Sequence, residues 1–417
     1  MPRLENSDAY RRADVNTLLK KVGEVVAEEG RKSMFFDDDA MDALPRFERE
    51  EIITSKVLGR GGFGVVREIQ AVKLRQAPEE NATATTKQRK FFGKDSNSFS
   101  SKHSRSLATA AEADLSSRKQ LARRVWQRKG SKYVVKEIEK EFFHSDPGTF
   151  LKAMIDLAIE AKFLATINHP HILSLRGLSM KGPDEDIGFF IILDQLEETL
   201  PKRLNAWMQQ KRASQGITGA LTGGRKKSKT LLMERILVAY DVAEVMAYLH
   251  SRDIIYRDLK PDNIGFTADS ELRVFDFGLA KEIHRGDELE GGVFNLTGLT
   301  GAIRYMAPEV GLRKPYNFKA DVYSWSMLMW NIMALEPPLG LYTPNMFVDR
   351  VFNKQYRPAI NEKWPSGVGS LIRDSWEADF NHRPDFLDIM DRLKMVASEL
   401  DPEISSFMGS SMRSNGP

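Results

Sequence analysis

Two apolar patterns occur in a set order along this 417-residue chain, and that order restricts the fold more than any other feature. Short β-branched and aromatic runs, the mark of strands, lie from Ile52 to Leu74, at Tyr133 to Ile138 and at Phe189 to Leu193. Beyond about residue 200 the period lengthens. "LLMERILVAYDVAEVMAYLHS" sets Leu232, Ile236, Ala239, Val242, Met246 and Leu249 on one face of a long helix. Helical patterns recur around Asp321 to Leu335 and around Ser370 to Leu393. Strands first and helices later predict an α+β chain with a small sheet lobe and a larger helical lobe. The length asks for two or three structural units.

Three stretches interrupt this plan. Residues 8–30 carry Val15, Leu18, Leu19, Val22, Val25 and Val26 at helical spacing between charges. They predict an amphipathic helix packed on a neighbour rather than lying on a membrane. "FFDDDAMDALPRFEREE" then reads as a linker into the folded part. The third stretch, about 75–132, is rich in Ser, Thr, Ala, Lys and Arg and has no sustained period before its last third. It predicts a disordered or partly helical insertion. That insertion holds 14 Lys/Arg against 5 Asp/Glu, so the net charge of +3 conceals an acidic remainder. A second basic loop covers about 209–230, and residues 397–417 form a flexible tail. Such basic segments suit docking partners or acidic surfaces. Nucleic acid is disfavoured, because the first insertion offers few aromatics (Phe91, Phe92, Phe99, Trp126).

The chain has no cysteine, which excludes disulfides, thiolate metal sites and cysteine nucleophiles. An intracellular place, cytoplasmic or nuclear, fits that composition. "MPRLENSDAY" has no apolar signal region. "WSMLMWNIMAL", broken by Ser326 and Asn331, reads as a buried helix and not a membrane span.

The chemistry concentrates in three motifs. "GRGGFGVV" sets Gly59, Gly61 and Gly64 in a G-x-G-x-x-G pattern, with Gly62 and Phe63 between. Glycines let backbone N–H groups approach phosphates. A dinucleotide loop would open a helix there, but "VVREIQAVKL" alternates like a strand. A hairpin over a nucleotide is favoured, with an ordinary hairpin as the alternative. "IIYRDLKPDNIGF" supplies Asp258, Lys260 and Asn263 on a loop stiffened by Pro261. A carboxylate there can accept a hydroxyl proton, an amide oxygen can bind a hard cation, and a lysine can offset phosphoryl charge. "VFDFGLA" adds a second carboxylate, Asp276, at a strand end.

With "VVK", "APE" and "DVYSWSM", these motifs make the chain resemble a eukaryotic protein kinase from about Ile52 to Met395. "SWEADFNHRPDF" resembles the tyrosine-kinase-like group of Ser/Thr kinases. The resemblance implies a bilobal kinase fold over 51–396, with a β-rich N-lobe at 51–194 and a helical C-lobe at 197–396. Residues 1–50 then form an extension. It further implies ATP and Mg²⁺ as cofactors and protein substrates as partners.

Two lysines compete for the phosphate-gripping role, Lys73 in "AVKL" and Lys136 in "YVVKEIEKE". The family's small lobe needs a hairpin and then a third strand bearing the lysine. Lys73 comes too soon after Val66 for a turn and a third strand, so Lys136 is chosen. Glu160, ahead of the His169-Pro170 break, matches the family's helix glutamate and pairs with it.

By the same resemblance Leu58, Val66, Val134, Leu193, Asp194 and Leu196 contact ATP, with Leu193 as gatekeeper and Asp194, Gln195 and Leu196 as hinge. Asn263 and Asp276 hold Mg²⁺, and Asp258 acts on the hydroxyl beside Lys260. Asp321 holds the catalytic-loop backbone, and Glu309 pairs with Arg383.

Several residues depart from the family. Tyr256 stands where His is usual and is expected to pack beneath Phe277. Gly265 predicts a roomier adenine floor. Ala302 replaces a threonine typical of Ser/Thr kinases, which keeps dual specificity open. Thr297 and Thr300 are the Ser/Thr residues between Asp276 and Ala307, and phosphate on one is expected to order that segment near Arg257. The competing class is a catalytically inert scaffold of the same fold.

Overall fold

The computed structural model describes residues 13–61, 64–75, 113–125, 132–215 and 224–402. Its main sheet contains β1 (Arg46–Phe47), β2 (Ile52–Arg60), β3 (Gly64–Val72), β4 (Tyr133–Ile138), β5 (Leu175–Ser179) and β6 (Phe190–Asp194). The spatial order is β1-β5-β6-β4-β3-β2. β1 runs parallel to β5, and the other neighbours are antiparallel.

Period-two alternation divides this sheet into two buried faces. On β4, Tyr133 and Val135 join Phe47, Ile52, Ile69, Phe190 and Ile192 on the outer face. Val134 and Ile138 point the other way, into the main core. Lys136 lies in phase with Val134 and Ile138, so alternation alone turns it toward the helices.

The helices that matter for the site are α1 (Val15–Lys32), α2 over 113–125, α3 (Pro147–Thr166), α4 (Leu200–Gln215) and α5 (Gly224–His250). α6 (Lys319–Ala334), α7 (Ser366–Ser375) and α8 (Phe386–Leu400) complete the helical lobe. α1 begins at Asp14, whose side chain accepts from the Thr17 N–H, and ends with Arg31 and Lys32. Its Leu18, Leu19 and Val22 are buried, and it packs on α3. The expected neighbour is therefore a helix of the sheet lobe.

The last third of the insertion is α2. Leu121 enters the outer cluster, and both oxygens of Glu51, itself 1% exposed, accept from the Arg118 guanidinium at 2.6 Å. Residues 76–112 lie outside the described residues.

The segment read as a linker is structured instead. Phe36 meets Phe163 of α3 edge-on at 4.9 Å, and Arg46 and Phe47 add β1 to the sheet. Its few apolar residues are unevenly spaced, with Phe35, Phe36, Met41 and Leu44 on the main core and Phe47 in the outer cluster, so no period betrays them.

In the helical lobe α5 is buried on several sides, more than its single predicted face, because α4, α6 and α8 all pack on it. α6 is buried from Ala320 to Met333, and the Trp325 Nε1–H donates to the Ala239 carbonyl at 3.1 Å. No helix among the described residues is long and apolar enough to cross a membrane. Short strands β7 (Glu198–Thr199), β8 (Ile254–Ile255), β9 (Ile264–Phe266), β10 (Leu272–Val274) and β11 (Lys281–Glu282) form two small sheets, β10-β9-β7 and β11-β8. The β8–β9 loop and the segment after β10 carry the polar motifs.

One ion pair ties this lobe together. Arg383, 1% exposed, donates to both Glu309 oxygens at 2.6 and 3.1 Å and to the Glu377 and Lys319 carbonyls. Removing one side of so buried a pair strands the other charge. Arg383→Met is expected to cost about 3–5 kcal/mol of stability in denaturant titration. A loss below about 1 kcal/mol would place the pair among ordinary surface contacts.

Candidate active site

Lys73 and Lys136 end in different places. Lys73 follows the last residue of β3 and is exposed, its N–H donating to the Glu51 carbonyl at 2.8 Å. Lys136 sits mid-strand on β4, opposite Val66 of β3 and Ile191 of β6. Its Nζ donates to Glu160 at 2.6 Å and to Asp276 at 3.1 Å. Three sequence-distant residues, from a strand, a helix and a loop, therefore converge on one ammonium.

The β8–β9 loop is shaped by Asp321. This fully buried carboxylate accepts the Tyr256 N–H at 2.8 Å, the Arg257 N–H at 2.8 Å and His250 Nε2 at 2.9 Å. These bonds hold Arg257 at φ 68°, a left-handed conformation that a long side chain resists. Asp276 also has φ 68°. The Tyr256 ring lies edge-on to Phe277 at 5.2 Å, and its hydroxyl donates to the Phe275 carbonyl. The aromatic ring thus occupies the space expected of it.

Asp258 is 6% exposed and accepts from three groups. Lys260 Nζ approaches at 2.6 Å, Asn263 Nδ2 at 2.9 Å and the Ala302 N–H at 3.2 Å. Burial pushes its carboxyl above the usual range against the pull of Lys260 and Asn263. The Ala302 contact was not foreseeable from residue type, because a backbone N–H carries no such signal. Its trace is Gly301 at φ 90°, where a Cβ would stand 2.3 Å from the Arg257 carbonyl. Only glycine lets the segment lie that close to the loop.

Around the adenine side, β2 and β3 form the predicted hairpin, with Gly59 opposite Val66 and the Gly61 N–H donating to Gly64 at 2.8 Å. Gly62 and Phe63 lie outside the described residues. Leu58 is 39% exposed on β2, while Val134 and Leu193 are buried opposite each other on β4 and β6. Asp194 is held in the Arg176 fork at 2.9 and 2.6 Å. The expected roomier floor is not found. A Cβ on residue 265 would meet Leu196 Cδ1 at 2.5 Å, so the hinge leucine fills the space that Gly265 leaves.

Thr297 is exposed, and the Thr300 hydroxyl donates to its carbonyl at 2.8 Å. Arg257 donates to the Leu279 carbonyl at 2.7 Å and to the Tyr316 hydroxyl, which in turn donates to the Thr297 carbonyl at 2.9 Å.

The model of the protein tyrosine and serine/threonine kinase family matches residues 123–393, more than half of the chain. The chain belongs to this kinase family. Its match begins within the insertion, although β2 and β3 share the sheet with β4. The chain is similar to serine/threonine-protein kinase STY46 of Arabidopsis thaliana, 36% identical over 166 residues, 40% of this chain and 28% of that protein. It is similar to serine/threonine-protein kinase VIK of Arabidopsis thaliana, 39% identical over 195 residues, 44% of each chain. Dual specificity protein kinase shkB of Dictyostelium discoideum is 28% identical over 264 residues, 63% of this chain and 36% of that protein. The matched part thus spans less than half the length of each of these relatives.

In this kinase one ammonium serves two carboxylates. Burial disfavours the charged Lys136, but Asp276 and Glu160 outweigh it and hold the pKa above the ordinary lysine value. Lys136 in turn keeps Asp276 below the usual carboxylate range. Burial pushes Glu160 up to about 7 despite Lys136. Glu160 Oε1 has no hydrogen-bond partner among the described residues, in keeping with that desolvation. The two environments push the carboxylates apart, so Asp276 stays ionised.

A carboxyl raised on folding holds its proton more tightly in the folded state. Its contribution to stability is full below the ordinary glutamate value of 4.5 and is lost as pH rises through about 7. Without nucleotide or metal, the melting temperature of the kinase should therefore fall relative to Glu160→Gln between about pH 5 and pH 8. A difference that stays flat across that range would contradict the assignment.

Proposed function

We propose that the chain transfers the γ-phosphoryl of ATP to Ser and Thr hydroxyls of protein substrates, in a Mg²⁺-dependent reaction of intracellular signalling. The observation that carries this reading is the Lys136–Glu160 ion pair at 2.6 Å, which catalysis by protein kinases requires, with Asp276 beside it at 3.1 Å from the same ammonium.

The roles proposed for the site residues are these. Lys136 and the glycine-rich stretch with Gly59, Gly61 and Gly64 hold phosphates, and Gly62 and Phe63 of the same motif are assigned to ATP from the sequence. Leu58, Val66, Val134, Leu193, Asp194 and Leu196 enclose the base. Asp258 accepts the substrate hydroxyl proton; Lys260, bonded to it, offsets charge on the moving phosphoryl.

The donor set suits Mg²⁺. Asp276 is kept ionised, and Asn263 commits its Nδ2 to Asp258, which leaves its amide oxygen as the hard donor. When bound, Mg²⁺ supplies charge neutralisation for the phosphate oxygens.

A scaffold without activity is the opposing class. Mg²⁺-dependent thermal stabilisation by ATP, measured with autophosphorylation, separates the two. Absence of both in folded protein would favour the scaffold. Dual specificity is a second reading, supported by the alanine at 302 and by the shkB relative.

Phosphate on Thr297 or Thr300 would add charge beside the Arg257–Tyr316 contact. Thr297→Ala with Thr300→Ala is expected to lower the rate of the phosphorylated protein, and an unchanged rate refutes the regulatory role. The basic insertions are proposed to dock protein partners or acidic surfaces.

A further inference from the structure

α1 joins two parts of the active site that are far apart in sequence. Its Glu29 accepts from Lys281 Nζ at 2.5 Å, with side chains only 10% and 15% exposed. Just past the helix, the Ser33 hydroxyl and the Met34 N–H both donate to Glu282, at 2.5 and 2.9 Å. Lys281 and Glu282 are β11, at the start of the segment that follows Asp276.

The opposite side of the same region grips α3. Leu18 and Val22 are buried in the core shared with α3. Phe36 packs on Phe163 at 4.9 Å, and Phe163 packs on Phe277 at 6.3 Å. The Asp37 N–H donates to Thr166 Oγ1 at 3.1 Å, and Asp38 pairs with Lys162 at 3.3 Å. Phe163 lies one turn from Glu160, so whatever fixes its ring fixes the glutamate.

We propose that α1 and the residues just after it are a positioning element for phosphotransfer, clamping α3 to β11 so that Glu160 stays on Lys136. This rests on the reading that the Lys136–Glu160 pair is used in the reaction. Glu29, Lys281, Ser33 and Phe36 are positioning residues, because they act through Glu160 and Phe277. A helix anchored to α3 alone would move with it. One anchored to both α3 and β11 resists their separation.

The absence of native cysteine permits a direct test in the full chain. Spin labels on Lys73→Cys and Lys152→Cys, both exposed, report the distance between the sheet and α3. Glu29→Lys and Lys281→Glu should each lengthen or broaden that distance and lower kcat by about tenfold or more. The double swap, Glu29→Lys with Lys281→Glu, should recover both. Glu29→Gln should act in the same direction more weakly and guards against a folding defect. Unchanged distances in the single variants, or a swap that restores neither distance nor rate, would overturn the proposal. The distance stands without any activity, so a wild type that transfers nothing defeats the kinase reading and leaves α1 still tested.

Discussion

Lys136→Met is expected to abolish phosphoryl transfer, while Lys73→Met leaves the rate within about twofold of wild type. The methionine keeps the length and apolar stem of lysine and removes the charge. Glu160 and Asp276 then face each other without their shared ammonium, and the phosphates lose a fixed cation. The loss of one preorganised charge of this kind costs about 10²–10³ in kcat. Lys73 is exposed beyond β3 and bonds the Glu51 carbonyl through its backbone N–H, which methionine retains. Initial rates on equal amounts of folded protein check both. Equal losses in the two variants would return the role of Lys136 to open question.

Asp258→Asn is the second large effect, a fall of about 10²–10⁴ in kcat. The amide is nearly isosteric, and its single oxygen can still accept from Lys260 and Asn263, which share one carboxylate oxygen, while the bond from the Ala302 N–H to the other oxygen is lost. Asp321 still holds the loop backbone at Tyr256 and Arg257, so the loop should keep its shape and ATP binding should change little. What is lost is the capacity to take a proton. A fall in ATP affinity with kcat intact would instead make Asp258 a structural residue.

Much of this site could be read before the fold was known. Asp258, Lys260 and Asn263 lie within one short loop, so their spacing is itself the geometry. Lys136 was chosen over Lys73 by counting strands, and the register opposite Val66 and Ile191 places it mid-sheet.

Other features depend on contacts that no local pattern encodes. Glu29 and Lys281 are 252 residues apart. Phe35 to Glu51 looks like a linker because its few, unevenly spaced apolar side chains split between the main core and the outer cluster. α2 is anchored by Arg118 on Glu51, by Asp114 on the Arg46 N–H and by only two apolar residues, Leu121 and Val125, too few to make a strong period. Gly265 suggested space that Leu196 fills, because a missing side chain shows where an atom is absent but not what replaces it. Ala302 marks a missing threonine, and that its backbone N–H reaches Asp258 is visible only in the fold.

The most direct test is transfer of labelled γ-phosphoryl from ATP to a library of Ser, Thr and Tyr peptides by the full chain, with and without Mg²⁺, beside Asp258→Asn. The expected result is label on Ser and Thr, dependent on Mg²⁺ and lost in the variant. No label from folded wild type, or label undiminished in Asp258→Asn, would contradict the account.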